Sequence, residues 1–234
     1  DKIDGGADND QIVGGEGNDK LFGGSGNDII YGDGGNVVAG NDKIEGGDGD
    51  DTVYGNAGND FIWGDLSDSK NPGKGNDRLF GDDGFDTING GNGNDYIDGG
   101  NDDDVLNGGA GNDTIVGGAG ADTMSGGDGD DYFTFLTNDS KAGNPDVILG
   151  FQRRQDRMAI YYNGLVSDRL PLTVTAESAT FKGQAGTMIS FDFAEKPGIE
   201  YQMFLQGYNI ADLQTKGQLD QSKVATLFYL FNSY

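Results

Sequence analysis

Aspartate recurs along the first 134 residues at a spacing that could hold metal ions. Successive members of the series are nine residues apart, except for one step of 14 and one of 17. The series is Asp1, Asp10, Asp19, Asp28, Asp42, Asp51, Asp60, Asp77, Asp86, Asp95, Asp104, Asp113, Asp122 and Asp131. A carboxylate that returns at a fixed interval occupies equivalent places in a repeating structure. The pattern therefore predicts an array of similar sites and not one active centre.

Glycine accompanies each aspartate at fixed places of a nine-residue unit. Copies such as GGEGNDKLF (14–22) and GGNGNDYID (90–98) have glycine at places one, two and four and aspartate at place six. Glycine adopts φ above zero and lets main-chain carbonyls approach closely, so these carbonyls are candidate ligands beside the carboxylates. The candidate carbonyl donors belong to Gly14, Gly15, Gly17, Gly23, Gly24, Gly26, Gly46, Gly47, Gly49, Gly90, Gly91, Gly93, Gly99, Gly100, Gly108, Gly109, Gly111, Gly117, Gly118 and Gly120.

A donor set made only of oxygen favours calcium. The chain has no His and no Cys, which are ligands that Zn²⁺ prefers. Ca²⁺ takes about 6–8 oxygen ligands, which one carboxylate and several carbonyls can supply. If two units make one coil, turns 18 residues apart lie above one another and an ion can sit between them. We expect about 8–10 ions, because the chain ends and two insertions, near residues 34–38 and 66–73, should spoil some sites.

An apolar residue stands two places after each aspartate. These residues are Ile3, Ile12, Leu21, Ile30, Ile44, Val53, Ile62, Leu79, Ile88, Ile97, Leu106, Ile115, Met124 and Phe133. In a three-residue strand the middle side chain points opposite to its neighbours, so place eight faces an interior and places seven and nine face out. One such strand cannot bury its apolar face alone, but stacked copies can, which predicts a solenoid. Both insertions are expected in the turns and should leave the strands uninterrupted.

Charge and glycine content divide the chain near residue 134. Residues 1–134 carry 30 acidic and 6 basic side chains, whereas residues 135–234 carry 10 and 9. The net charge of −25 argues against nucleic acid or an anionic membrane surface as a partner. No apolar run has the length of a transmembrane segment. The sequence opens without Met or a signal peptide, so we expect residue 1 to continue a longer protein.

Catalysis by this chain is not expected. Without His or Cys there is no Ser-His-Asp triad and no Cys-His pair. Residues 23–27 (GGSGN) do not match the GxSxG elbow of a serine hydrolase. Composition leaves open a glycosidase built on two carboxylates, but the aspartates are already accounted for as metal ligands and solvated turn residues. An active site of the parent protein would lie upstream of residue 1.

The tandem GGxGxDxUx units resemble the RTX, or haemolysin-type, calcium-binding repeat. The resemblance covers residues 1–134 and implies an all-β fold, a parallel β-roll of about seven coils with ions along both columns of turns. It also implies export by a type I secretion system, with a signal expected near residues 185–234. The departures from the pattern are Asp8 and Asp102 at place four, and Asp33, Asn56, Asp65 and Asp82 at place two.

Residues 135–234 resemble the segment that follows the roll in secreted RTX proteases and lipases. The matching positions are Asp146, Ile148, Phe151 and Asp156, whereas Gly150 and Arg154 stand where Asp and Gly are usual. Residues 201–208 and 224–231 are predicted strands. These features favour a small β-rich cap that covers the open end of the roll, which would otherwise be an exposed edge.

The leading hypothesis is a calcium-binding module that folds after secretion and stabilises a larger secreted protease, lipase, toxin or adhesin. In a calcium-poor cytosol the polyanionic chain stays unfolded, and outside the cell Ca²⁺ binds only the folded coil. The expected partners are Ca²⁺, the type I secretion machinery and upstream domains, and the expected location is extracellular or on the cell surface.

The alternative is a binding surface for a glycan or a protein, built on outward aromatic residues. These are Phe22, Tyr31, Tyr54, Phe61, Trp63 and Phe80, among which Tyr31, Tyr54 and Phe80 should stack as a ladder. The competing explanation is ordinary cross-strand packing.

Overall fold

The fold is built almost entirely of β-strands. A computed structural model describes residues 1–35, 39–66, 73–136, 145–152, 155–161, 172–181, 183–193, 200–206, 214–215, 218–219 and 228–230. The described residues form 22 strands, which confirms the all-β prediction. Among them no helix is long and apolar enough to cross a membrane.

The first fourteen strands follow the nine-residue units one by one. They are β1 (Lys2–Ala7), β2 (Gln11–Val13), β3 (Lys20–Ser25), β4 (Ile29–Tyr31), β5 (Lys43–Asp48), β6 (Thr52–Ala57), β7 (Phe61–Trp63), β8 (Arg78–Asp83), β9 (Thr87–Asn92), β10 (Tyr96–Asn101), β11 (Val105–Ala110), β12 (Thr114–Ala119), β13 (Thr123–Asp128) and β14 (Tyr132–Leu136).

Most of these strands have six residues, so the expectation of three-residue strands was wrong. Each six-residue strand continues through the first three places of the following unit, because those residues stay in register with their equivalents one coil away. Gly6 pairs with Gly24, and Ala7 pairs with Ser25, in the same ladder as Ile3 and Leu21. Main-chain pairing with an identical neighbour thus overrides the low strand propensity of glycine.

Alternate strands form two parallel sheets, which confirms the parallel β-roll. The order in the first sheet is β1-β3-β5-β7-β9-β11-β13, and in the second it is β2-β4-β6-β8-β10-β12-β14. Partners lie two units apart, as when Ile97 of β10 aligns with Ile115 of β12. Two units therefore make one coil, and equivalent turns stack in two columns, one along each edge of the roll.

The core of the roll is a double row of eighth-place side chains between the two sheets. All fourteen lie in or against one apolar cluster, with Ile3 in the first coil only partly buried. Place nine faces outward less consistently than predicted, since Glu45, Val116 and Thr134 are buried. Glu45 forms an ion pair with Lys43 at 3.1 Å.

Both insertions lie in turns, between β4 and β5 and between β7 and β8. Residues 36–38 and 67–72 of these insertions fall outside the described part of the chain. The strands before them, β4 and β7, end after three residues. β2 has the same length although no insertion follows it. Both insertions therefore lie in turns and leave the strands uninterrupted, as predicted.

The two sheets run on past residue 134. The later strands are β15 (Asp146–Leu149), β16 (Arg157–Tyr161), β17 (Leu172–Phe181), β18 (Gln184–Phe193), β19 (Glu200–Gln206), β20 (Gln214–Thr215), β21 (Gln218–Leu219) and β22 (Phe228–Leu230). β15 and β16 add a further parallel strand to each sheet. β19 and β22 pair with them in parallel. β19 overlaps the predicted strand region 201–208, and β22 lies within the predicted region 224–231.

The first sheet ends in an antiparallel ribbon. β17 pairs with β18, and β18 pairs with β19, both antiparallel. β20 and β21 form a separate antiparallel pair. Of the region expected to hold a secretion signal, residues 194–199, 207–213, 216–217, 220–227 and 231–234 lie outside the described residues, as does Arg154.

Candidate metal centre

Every sixth-place aspartate lies at the end of a turn, immediately before a strand. The glycine-rich turn reverses the chain, and the strand that follows fixes its first residues through pairing with the coils on either side. The aspartates of alternate units therefore stack in the two columns of turns. From Asp19 to Asp131 all are buried, although a carboxylate rarely is.

From Asp28 to Asp131, one carboxylate oxygen of each ladder aspartate is held by the preceding coil. The main-chain N–H of Asp42 donates to Oδ1 of Asp60 at 2.7 Å, and the N–H of Asp86 donates to Oδ1 of Asp104 at 2.8 Å. Nine further pairs repeat this bond, and their acceptors are Asp28, Asp42, Asp51, Asp77, Asp86, Asp95, Asp113, Asp122 and Asp131. The bond fixes the orientation of the carboxylate along the column.

The other carboxylate oxygen is buried and has no hydrogen-bond partner among the described residues. These Oδ2 atoms belong to Asp10, Asp19, Asp28, Asp42, Asp51, Asp60, Asp77, Asp86, Asp95, Asp104, Asp113, Asp122 and Asp131. Each unpaired buried polar atom costs about 1–3 kcal/mol, and a charged one costs more. Thirteen such atoms in two lines fit a row of bound cations, which would balance their charge.

Two of the three glycine places need φ above zero. Residues at places two and four have positive φ in most units, for example 114° at Gly109 and 140° at Gly111. Place one is different, since its glycines do not have positive φ. A Cβ at Gly5 would lie 2.6 Å from Oδ2 of Asp10 and 2.7 Å from the carbonyl oxygen of Gly23. Glycine is needed there because the carboxylate and a carbonyl of the next coil fill the space.

Carbonyl oxygens line the same columns. A Cβ on Gly109 would strike the carbonyl oxygen of Gly91, and one on Gly111 would strike that of Gly93. The same contact recurs at the second and fourth places of most coils, so the carbonyls of stacked turns point along the column. The predicted glycine donors and the predicted aspartates are thus brought to the same edges of the roll.

Burial raises the pKa of the ladder aspartates in the middle of the roll. The pKa rises to about 9 for Asp104 and to about 8 for Asp60 and Asp77, because loss of hydration disfavours the charged form. The N–H bond from the previous coil lowers each pKa, and the neighbouring ladder carboxylates raise it. Without a counter-ion, the columns therefore hold carboxylates that resist ionisation.

The donor set fits Ca²⁺. The columns offer carboxylate and carbonyl oxygens only, and Ca²⁺ takes about 6–8 oxygens. Among the described residues, no three His, Cys, Asp or Glu side chains converge on one point. A full shell therefore needs the main-chain carbonyls that the glycines bring together.

A profile for the RTX calcium-binding nonapeptide repeat matches the chain in four copies, over residues 4–39, 38–68, 72–106 and 98–133. These matches cover more than half of the sequence. The chain belongs to the RTX family. RTX repeats bind Ca²⁺ and are a structural module and not a catalytic one, as the sequence predicted.

Two solved structures are similar to this RTX chain. One is a subunit of the mannuronan C5-epimerase from Azotobacter vinelandii, with 26% identity over 75% of this chain and 87% of that chain, and a TM-score of 0.29. The other is an extracellular lipase from Serratia marcescens, with 16% identity over 83% of this chain and 45% of that chain, and a TM-score of 0.28. No curated protein sequence matches.

The RTX units that depart from the pattern divide into two groups. Asp8, Asn56, Asp82 and Asp102 take φ values of 72° to 77° and so adopt the backbone of the glycine that they replace. Asp33 and Asp65 do not have positive φ. Their side chains are buried instead, each with one unpaired oxygen. Asp33 and Asp65 are not among the ligands predicted from the sequence, although their place beside an insertion is visible there.

Two further carboxylates extend the RTX ladders beyond the repeats. The N–H of Asp122 donates to Oδ1 of Asp146 at 3.1 Å, and the N–H of Asp131 donates to Oδ1 of Asp156 at 3.4 Å. Burial raises the pKa of Asp156 to about 6. Asp146 and Asp156, which match the segment that follows the roll in related proteins, therefore continue both columns of carboxylates by one coil.

A second polar ladder runs at place five. The N–H of Asn27 donates to Oδ1 of Asn9 at 2.9 Å, and the N–H of Asn112 donates to Oδ1 of Asn94 at 2.7 Å. Sequence reasoning missed this role, although an Asn or Asp before the sixth-place Asp recurs in most units. The ladder holds the turns together on their solvent side.

The predicted stacking of Tyr31, Tyr54 and Phe80 is confirmed. The rings of Tyr31 and Tyr54 stack at 5.0 Å, and those of Tyr54 and Phe80 stack at 4.9 Å. Trp63 lies on the other sheet, where Lys43 Nζ sits 5.0 Å from its ring centre.

Proposed function

We propose that this chain is a calcium-dependent folding module of a secreted protein. The observation that supports the proposal is the double line of buried Oδ2 atoms that have no hydrogen-bond partner within the described part of the chain. Such a structure is unfavourable for the ion-free chain and favourable once cations lie between the turns. Ion binding and folding are then one event.

The proposed ligands are the sixth-place aspartates and the glycine carbonyls of the turns above and below each ion. An Oδ2 atom faces its column while Oδ1 is engaged by the previous coil, so each aspartate presents a single oxygen to the ion. About 8–10 ions would neutralise most of the net charge of −25. These assignments come from the stacking of the turns and the chemistry of their oxygens.

The sensitivity to calcium follows from mass action. At a free concentration ten times the dissociation constant, one site that exists only in the folded state adds about 1.4 kcal/mol. Several such sites together reach the size of a typical folding free energy, about 5–15 kcal/mol. Extracellular modules bind Ca²⁺ at about 10⁻⁴–10⁻³ M, which would keep the chain unfolded in a calcium-poor cytosol.

The biological setting follows from the same reasoning. An unfolded polyanion suits passage through a type I secretion channel, and folding outside the cell would stabilise upstream domains of a protease, lipase, toxin or adhesin. The place of action would be extracellular, or the cell surface if the parent protein is an adhesin. Any active site would lie in those upstream domains.

Residues 135–234 are proposed to close the end of the roll. β15 and β16 pair with the last repeat strands, and β17, β18 and β19 end the first sheet with antiparallel pairing. An open end coil would otherwise offer unpaired main-chain groups to another chain. A cap would also give the coil a fixed end from which to assemble.

Far-ultraviolet circular dichroism with and without Ca²⁺ tests the folding proposal. The chain should show strand content in millimolar Ca²⁺ and lose most of it in EDTA, with Mg²⁺ as a control that restores little because it demands a tight octahedral shell. Equal strand content in EDTA and Ca²⁺ would contradict the proposal.

A second candidate function is binding of a neutral oligosaccharide on the second sheet. The stacked rings of Tyr31, Tyr54 and Phe80 lie beside an open groove of about 530 Å³, which Phe80, Asp98 and Asn101 help to line. Aromatic faces pack against sugar rings, and carboxylate or amide groups can bond to hydroxyls.

Tyr54→Ala tests this candidate, with Trp63→Ala on the other sheet as the matched control. Affinity for a neutral glucose hexasaccharide should fall about tenfold in the first variant and stay unchanged in the second. Loss of thermal stability in Tyr54→Ala without any sugar binding by the wild type would leave cross-strand packing as the role of the ladder.

A further inference from the structure

The two insertions each begin with a buried carboxylate that the regular repeat does not have. Asp33 precedes the first insertion and Asp65 precedes the second, and both stand at place two, where the repeat has glycine. Asp33 is 7% exposed and Asp65 is 3% exposed. In each side chain, Oδ1 is buried and has no hydrogen-bond partner among the described residues.

The two carboxylates are held in the same way. Oδ2 of Asp33 accepts the N–H of Ala57 at 3.2 Å, and Oδ2 of Asp65 accepts the N–H of Asn92 at 2.6 Å. Ala57 and Asn92 both occupy place three of the turn one coil later. The shared bond leaves Oδ1 of each carboxylate as the unpaired atom.

In the second insertion the carboxylate takes the position of a main-chain carbonyl. In a regular turn, a Cβ on the second-place glycine would meet the carbonyl oxygen of the second-place residue one coil before. At Gly91 that atom is replaced by the side chain of Asp65. On the side of the preceding coil, Gly73 packs against the carbonyl oxygen of Gly47. Oδ1 of Asp65 lies next to Gly73.

The backbone separates these two residues from the other second-place substitutions. Asn56 and Asp82 keep φ values of 74° and 72° and so present the carbonyl of a regular turn. Asp33 and Asp65 do not have positive φ, and their side chains enter the column instead. Burial is the main cause that raises the pKa of Asp42 and of Asp60, and the nearby Asp33 carboxylate raises both further.

We propose that Asp33 and Asp65 are calcium ligands, with the Asp65 side chain standing where a regular turn has a main-chain carbonyl. This inference rests on the proposed function and goes beyond it, because the insertions were expected to spoil sites. Each of the two residues adds an extra carboxylate to a column that already holds the ladder aspartates. Since the number of charged ligands sets calcium affinity, these two sites should bind more tightly than the regular ones.

The test is the number of ions bound per chain, measured by native mass spectrometry at a free Ca²⁺ concentration of about 10⁻⁴ M. Asp33→Asn and Asp65→Asn should each lose one ion, and the double variant should lose two. Asp82→Asn is the matched control, because it makes the same change at the same place of a turn with a regular backbone, and it should keep every ion.

Retention of all ions by Asp33→Asn and Asp65→Asn would overturn the proposal, and so would equal loss in Asp82→Asn. If the wild type itself binds no Ca²⁺, the proposed function fails as well, which is a distinct result. If a variant does not fold in excess Ca²⁺, a crystal structure of the calcium-loaded wild type decides. An ion about 2.3–2.6 Å from Oδ1 of Asp33 or Asp65 supports the proposal, and ions found only beyond reach of both atoms overturn it.

Discussion

The main-chain N–H of Asp86 donates a hydrogen bond of 2.8 Å to Oδ1 of Asp104, which lies one coil further along the roll. This bond engages one carboxylate oxygen, and the buried Oδ2 has no hydrogen-bond partner among the residues that the structure describes. Repeated in both columns, the relationship makes each coil orient the carboxylate of the next. Under the proposed function, the turns form calcium sites only when the coils are stacked.

Asp104→Asn should weaken calcium binding while preserving the ladder. The amide oxygen can still accept the N–H of Asp86, but the negative charge in the column is lost. We expect the midpoint of calcium-induced folding to rise about three- to tenfold, by analogy with the loss of one charged ligand. Circular dichroism during a Ca²⁺ titration measures this midpoint.

Asp103→Asn is the control for that variant. Asp103 is exposed, and its Oδ1 accepts the N–H of Ala121 at 2.9 Å, a bond that Asn can also accept. The midpoint should stay within about twofold of the wild type, since exposed charges interact weakly. An equal shift in both variants would show that net charge, and not the column, governs the response.

Alanine substitutions at two second-place glycines should separate backbone strain from crowding. Gly15 and Gly109 have φ values of 112° and 114°, but a Cβ on Gly15 meets nothing within 4 Å, whereas one on Gly109 meets the carbonyl of Gly91. Gly15→Ala should cost about 1–2 kcal/mol from the left-handed backbone alone. Gly109→Ala should cost at least about 1 kcal/mol more, from overpacking.

Urea unfolding in saturating Ca²⁺ measures both glycine variants. A smaller loss for Gly109→Ala than for Gly15→Ala would mean that the carbonyl column is looser than described.

The metal-free chain should be more stable in mild acid than at alkaline pH. The folded pKa values of Asp60 and Asp77, about 8, and of Asp104, about 9, lie above the ordinary 3.8 because of burial. A raised folded pKa means that the folded state holds protons that the unfolded state releases. Its contribution to stability is therefore full below pH 3.8 and is lost as pH rises toward about 8–9.

Circular dichroism in calcium-free buffer between pH 5 and pH 9 checks this dependence. Residual strand content should fall as pH rises, and calcium binding should release protons, which calorimetry in buffers of different ionisation enthalpy detects. Strand content that increases with pH in the absence of metal would contradict the electrostatic account.

Two valines on opposite faces of their strands should differ in their contribution to stability. Val53 is an eighth-place residue with 0% exposure, and Val105 is a seventh-place residue with 50% exposure. Val53→Ala should cost about 2 kcal/mol, from two lost buried methyl groups and the cavity left behind. Val105→Ala should cost less than about 0.5 kcal/mol. Equal losses in urea unfolding would contradict the single interior of the roll.

The repeat itself could be predicted from sequence because its signals are local and occur many times. The aspartates predicted at place six form the two ladders of carboxylates. The apolar residues predicted at place eight form a buried row from Ile12 to Phe133. Strand length could not be predicted in this way. Glycines such as Gly6 and Gly24 enter the strands because they pair with copies of themselves, which single-residue propensity does not register.

The irregular turns depend on contacts that only the stacked coils create. Gly5 is needed at place one because Asp10 and Gly23 fill the space where a Cβ would lie, and not because of its φ. The position of Asp65 also depends on the stacked coils, although in the sequence it is only a departure from the repeat pattern. Its carboxylate is held by the N–H of Asn92 and lies against Gly91, and both of these residues belong to the turn one coil later.

Amide hydrogen exchange of the ladder residues is the most direct test of calcium-coupled folding. The N–H of Asp86 reports one bond between stacked turns, and the N–H of Asp42 reports another. In millimolar Ca²⁺ both should be protected, and in EDTA both should exchange at rates near those of an unfolded chain. Strong protection of these two amides in EDTA would show that the coils stack without the metal and would contradict the account.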